Sequence, residues 1–202
     1  SRPTATLAVR GRIACLLMLS SLLSPLYGAA FKSVVIQNGE AAGVIERNVA
    51  ALLVERIAEL GDVPTRITNE GEVRLSPTTE LVILVGLPEN HTQIRAQFEA
   101  HRIAPLTALS PGPEGFLVKT VPRAGGYLVI VAGSDPRGVL YGAGEILRQM
   151  VVRGSMLELP ATLTVRSAPA FAVRGTQLGQ SSVALDRAKV RPWTELDRRH
   201  AV

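Results

Sequence analysis

The run LVILVGL at 81–87 contains no polar residue. A strand with one face in water alternates apolar and polar side chains, so this run fits only a strand covered on both faces, or nearly so. Pro88 ends it. A second run of the same kind, YLVIVAG at 127–133, asks for the same surroundings. A chain with two such strands must place helices on a sheet, and the remaining segments supply them.

SVVIQ (33–37) reads as a short β-branched strand closed by Asn38-Gly39. The stretch 41–60 is helical: Val44, Ile45, Val49, Leu52, Leu53, Arg56, Ile57 and Leu60 recur at three- and four-residue spacing, a stripe apolar apart from Arg56. Gly61-Asp62 stops it. TRIT (65–68) is a weaker strand, and 69–79 is polar loop. HTQIRAQFEAHRI (91–103) predicts a helix burying Ile94, Phe98 and Ile103, followed by a Pro- and Gly-rich loop at 105–115. FLVKTV (116–121) and YLVIVAG form a hairpin across Pro-Arg-Ala-Gly-Gly, and a third helix follows. LELPATLTVRSAPAF (157–171) reads as an edge strand and linker. The order predicts an α+β fold: a mixed, mostly antiparallel sheet with helices packed on it.

The first 30 residues have the pattern of an export signal. Arg10 and Arg12 precede the apolar run IACLLMLSSLLSPLYGAA, which ends in small residues suited to cleavage after Ala30. Serines, Pro25 and Gly28 interrupt the run, so no stable membrane span is expected after cleavage. That segment holds three of the 22 basic residues and none of the 17 acidic ones, leaving 19 against 17. From Phe31 to Phe171 there are 13 basic and 14 acidic residues, a balance that speaks against a nucleic-acid partner. Aromatic content of 4% offers few stacking platforms for bases or sugars. The single cysteine, Cys15, lies in the leader, so neither a disulfide nor a thiolate-bound metal is expected. Export without cysteine suits a bacterial periplasm or the extracellular space.

SDPRGVLYGAGEILRQM (134–150) invites comparison with phosphate-binding loops and fails it by position. A dinucleotide fingerprint needs its glycines directly after the strand, yet Gly142 and Gly144 lie nine and eleven residues beyond Gly133. After Gly133-x4-Gly138 stand Val139 and Leu140, where a Walker loop needs Lys and Ser or Thr. The stretch instead reads as a closely docked helix: Ser134 or Asp135 caps it, Pro136 takes the first position, and Val139, Leu140, Ala143, Ile146, Leu147, Met150 and Val151 form one stripe. Gly138, Gly142 and Gly144 each cost about 1 kcal/mol relative to Ala, which implies close backbone approach to the sheet.

The strand followed by D-x-R-G-x-x-Y-G, at Asp135, Arg137, Gly138, Tyr141 and Gly142, resembles the accessory domain that precedes the barrel in β-N-acetylhexosaminidases and α-glucuronidases. The resemblance runs from about Val34 to Val165. It implies an α+β layer packed in cis against a (β/α)8 catalytic barrel, with the motif in a structural role. PAFAVRGTQLGQ (169–180) is similar to the opening strand of such a barrel, and RPWTELDRRHAV (191–202) to its first helix. The expected organisation is a leader at 1–30, the accessory domain at 31–170 and the start of a truncated barrel at 171–202. By resemblance Arg174 contacts sugar hydroxyls, provided the barrel is present; the alternative is that it pairs with a carboxylate from the barrel. The whole protein would be a glycoside hydrolase, and this chain alone inactive.

The residues themselves carry no catalytic set. Glycosidases generally hold two carboxyl groups roughly 5 to 9.5 Å apart, and Glu55 and Glu59, four apart on a helix, are better read as a surface pair. His91, His101 and His200 are too scattered for a metal site; His91 suits a helix start and His101 a helix end. Ser181 and Ser182 follow Gly179 without completing a nucleophile elbow. No cofactor is expected, and carbohydrate is the natural ligand of the whole. The alternative is a stand-alone secreted interaction module without catalytic activity.

Overall fold

The apolar run at 81–87 lies in the middle of the structure, with a strand on each side and helices above and below. The computed structural model describes residues 29–72, 79–123 and 126–171. All the elements below belong to the first of two compact units, Ser1–Pro169; Ala170–Val202 is the second. In chain order they are β1 (Ala29–Phe31), β2 (Ser33–Asn38), α1 (Val44–Leu60), β3 (Thr65–Asn69), β4 (Glu80–Gly86), α2 (Thr92–Ala100), β5 (Phe116–Arg123), β6 (Gly126–Gly133), α3 (Pro136–Gln149), β7 (Val151–Arg153), β8 (Met156–Leu159) and β9 (Thr164–Ser167).

Six strands form the main sheet in the order β3-β2-β4-β6-β5-β9. The first four run parallel, with Ile83 paired to Ile36 on one side and Val129 on the other. β5 then turns antiparallel to β6 and to β9. The second sheet, β1-β8-β7, is antiparallel. Across both sheets four of the seven strand pairings are antiparallel, so the α+β class with a mixed sheet holds, with its parallel part concentrated at the centre.

Strand alternation divides the core cleanly. Val34, Ile36, Leu81, Ile83, Val85, Val129 and Val131 face one side, against Val49, Ala50, Leu53 and Ile57 of α1 and Val139, Ala143 and Ile146 of α3. Val35, Val82, Leu84, Leu128, Ile130 and Ala132 face the other, with Ile94 and Phe98 of α2. β4 is therefore apolar on both faces because each face meets a different helix layer. The β1-β8-β7 sheet adds Phe31, Leu157 and Leu159 to the first cluster. Among the described residues no helix is long and apolar enough to cross a membrane.

Several expectations shift in detail. Helix α1 starts at Val44 after Gly43, and its buried line is Glu46, Val49, Ala50, Leu53 and Ile57. Val44, Ile45 and Leu60, read as part of the stripe, are about half exposed or more because the helix is rotated to bring Glu46 inward. The 157–171 segment divides between β8, in the second sheet, and β9, the edge strand on β5. β1 pairs Ala29 and Ala30 with Leu159 and Glu158, so it begins two residues ahead of the expected cleavage point.

Ile83 is fully buried between two strands and under α1. Ile83→Ala is expected to lower unfolding free energy by about 2–5 kcal/mol, the range for truncating a buried aliphatic side chain. Urea denaturation followed by circular dichroism measures this, with the slope against urea unchanged.

Candidate functional site

Strands β2 and β4 end side by side, and the chain leaves them for opposite faces, α1 on one and α2 on the other. In open sheets such a divergence leaves a crevice at the C-terminal strand edge, the usual place for a ligand. Here the protein's own polar groups occupy it.

Glu46, buried in the first turn of α1, accepts from the backbone N–H of Gly43 (2.6 Å) and the Asn90 amide (2.9 Å) through Oε2, and from Leu87 N–H (2.9 Å) through Oε1. Gly39 and Asn90 bring the two departing loops into backbone contact: a Cβ at Gly39 would overlap the Asn90 carbonyl. Glu70, just past β3, gathers the same region from the other side. Its Oε1 accepts from Gln93 N–H (2.6 Å) and lies 2.9 Å from His91 Nδ1, and its Oε2 accepts from Glu40 N–H (3.3 Å). All four carboxylate oxygens are thus engaged, and three connections are tied together.

His91 is fully buried as the cap of α2, as its position before the helix suggested. Its Nε2 lies 3.3 Å from the Gln37 carbonyl. Two flanking acceptors would suit an imidazolium, but burial outweighs Glu70, the Gln37 carbonyl and Glu46 and holds the His91 pKa below its ordinary value. The ring is therefore neutral at pH 7, with Nδ1 beside Glu70 and Nε2 beside the Gln37 carbonyl, so either ring nitrogen that carries the proton meets an acceptor. The capping contact is the Ile94 N–H, 3.5 Å from Nδ1. Burial opposes the charge of Glu70 as well, but the N–H groups of Gln93, Thr92 and Glu40, with His91, overcome it and hold its pKa below the usual carboxylate value.

The D-x-R-G-x-x-Y-G residues meet a different surface, the turn at 112–115. Asp135 caps α3 by accepting from Gly138 N–H (2.9 Å), and its other oxygen accepts from Glu114 N–H (2.6 Å). Arg137 pairs with Glu114 at 2.9 Å from a largely exposed position. Ser134 Oγ donates to the Gly112 carbonyl (2.7 Å) and accepts from Gly115 N–H (2.9 Å). Gly138 lies so close to the Gly115 carbonyl that a Cβ would overlap it, and Gly142 faces Val131 and Phe116. Gly144, expected to approach the sheet as well, has open space where a Cβ would stand. Tyr141 is partly exposed on the same helix. Arg174, His200, Ser181, Ser182, Cys15 and residues 1–28 of the leader lie outside the described residues.

Glu55 and Glu59 do not form a paired site: Glu59 bonds Arg56 on the exposed side of α1 (2.6 Å). Among the described residues no three His, Asp, Glu or Cys side chains are grouped to hold a metal ion. The Glu46–Glu70–His91 cluster was missed from sequence. Glu46 fell outside the predicted apolar stripe, and Glu70 in a loop 21 residues from its histidine. Gln37 and Asn38 add buried polar groups at the same edge, with Gln37 Nε2 and Oε1 and Asn38 Oδ1 making no hydrogen bond.

No family model and no curated protein matches the chain. Among solved structures it is similar to one described as "Structure of CpGH84D", with 12% identity and a TM-score of 0.45. The match covers 65% of this chain and 20% of that one, so the chain spans a small part of that protein's length.

Two outcomes are expected. Asp135→Ala removes the α3 cap and the partner of Glu114 N–H, and should destabilise the fold by about 1–2 kcal/mol in urea denaturation. On acidification, the unfolded chain protonates its histidine near the ordinary 6.5 while folded His91 stays neutral, so stability declines as the pH falls below that value. A second decline begins near 4.5, where unfolded Glu70 takes up a proton that the folded carboxylate does not. In His91→Gln the upper decline should flatten while the lower one persists, as read from denaturation midpoints across the pH range.

Proposed function

We propose that this chain is the non-catalytic N-terminal part of an exported glycoside hydrolase, an α+β domain that packs in cis against a (β/α)8 catalytic barrel. One observation carries the reading: the ionisable side chains gathered at this edge and at the start of α3 are already used by the fold. The switch-point carboxylates brace three loops, and Asp135, Arg137, Gly138 and Gly142 fasten α3 to the 112–115 turn. A carboxylate saturated by N–H donors is a poor general base, and none of these stands free to meet a glycosidic oxygen. The resemblance of the D-x-R-G-x-x-Y-G motif to the accessory domains of hexosaminidases and α-glucuronidases supplies the enzyme class. Paired carboxylates downstream would then do the chemistry, with Arg174 positioned to hold sugar hydroxyls.

Two proteins should be assayed side by side on nitrophenyl glycosides of N-acetylhexosamine and glucuronic acid: the 202-residue chain, and the product of the gene read as far as its natural stop codon. The short chain is expected to give no turnover above the uncatalysed rate and the natural product to hydrolyse at least one substrate. Turnover by the short chain that Glu70→Gln abolishes would overturn the reading, as would a natural product that ends at Val202.

A further inference from the structure

We propose that the face formed by α2 and the chain after it is a self-complementary interface that pairs two copies of this protein. After α2 the chain reverses at Arg102, whose backbone is left-handed (φ 50°), and Ile103–Leu106 returns beside the helix. Between them lies a groove of about 560 Å³. Its floor is Phe98, Ile103 and Leu106, which belong to or pack on the core beneath the sheet. Its rim carries Arg95 and Arg102 against Glu89 and Glu99.

The next turn projects an apolar knob. Leu109 is 95% exposed, yet the turn that carries it is heavily braced. Thr107 N–H donates to the Ser110 carbonyl (2.8 Å), and Thr107 Oγ1 accepts from the N–H groups of Leu109 (3.2 Å) and Ser110 (3.0 Å). Arg166, reaching from β9, donates to the carbonyls of Ala104 (2.9 Å), Pro105 (2.6 Å) and Ser110 (3.0 Å). One guanidinium therefore fixes both the groove wall and the knob. A leucine on a backbone already fixed in water loses only its side-chain freedom when it is buried against a partner, which makes it a good anchor.

A second copy is the occupant that fits. A two-fold interface presents the same patch from both sides, so a patch that contains both a knob and a hole can fill itself. The rim charges point the same way. Two arginines and two glutamates balance, so the rim offers no net attraction to a strongly charged partner, whereas a two-fold can set the arginines of one copy against the glutamates of the other.

Sedimentation velocity of the full chain over a concentration series tests this with charge-reversed pairs. The parent is expected to dimerise, and Leu109→Asp to raise the dissociation constant at least about tenfold. Arg95→Glu/Arg102→Glu makes the rim wholly acidic and Glu89→Arg/Glu99→Arg makes it wholly basic; each alone should be monomeric, and a 1:1 mixture should recover the dimer. Circular dichroism confirms that each variant is folded. A parent that stays monomeric, a dimer unaffected by Leu109→Asp, or folded reversed variants that fail to associate when mixed would each overturn the proposal.

Discussion

A strand buried on both faces can reach solvent only at its ends, and what happens there governs the rest of this structure. β4 leaves the sheet through Gly86 and Leu87, where backbone groups lose their sheet partners while still inside the protein. Glu46 answers that need by taking the Leu87 N–H, and its other oxygen joins α1 to the loop before α2. An unmet buried N–H would cost about 1–3 kcal/mol. The same carboxylate therefore secures the exit of the central strand and the start of the helix on one side of it. Glu70 and His91 perform the matching task for the helix on the other side. The layered arrangement depends on this edge as much as on the apolar faces.

The strands and helices were legible because their signals are local. The run at 81–87, the hairpin at 116–133 and the capped, Pro-led helix at 136–149 each state their structure within a few residues. What was not legible is pairing between distant segments. The β1-β8-β7 sheet joins residues more than a hundred positions apart, and MLEL (156–159) gives no hint that its partner precedes β2. The rotation of α1 escaped for a related reason. Periodicity placed Val44 and Ile45 inside, but the requirement for a carboxylate beneath Leu87 turned Glu46 inward instead.

The polar cluster is the clearest case of information absent from local sequence. Glu46, Glu70 and His91 stand in a first helical turn, a loop and a helix start, and each has an ordinary explanation there. Only the parallel order of β3, β2 and β4 brings their ends to one edge. The D-x-R-G-x-x-Y-G motif behaves in the opposite way. Its residues interact with a turn only some twenty positions earlier, so the pattern is compact enough to be recognised as a unit.

The position of β9 also has a mechanical consequence. It is the outermost strand of the main sheet, antiparallel to β5, and its last pair joins Ser167 to Phe116. Tension applied across the strand through the residues that follow would load that pair first and peel β9 away one rung at a time, instead of shearing all its hydrogen bonds at once. Peeling an edge strand takes little force. A tug on the downstream chain would thus be absorbed by four short pairs and the Arg166 contacts, leaving the parallel centre of the sheet undisturbed.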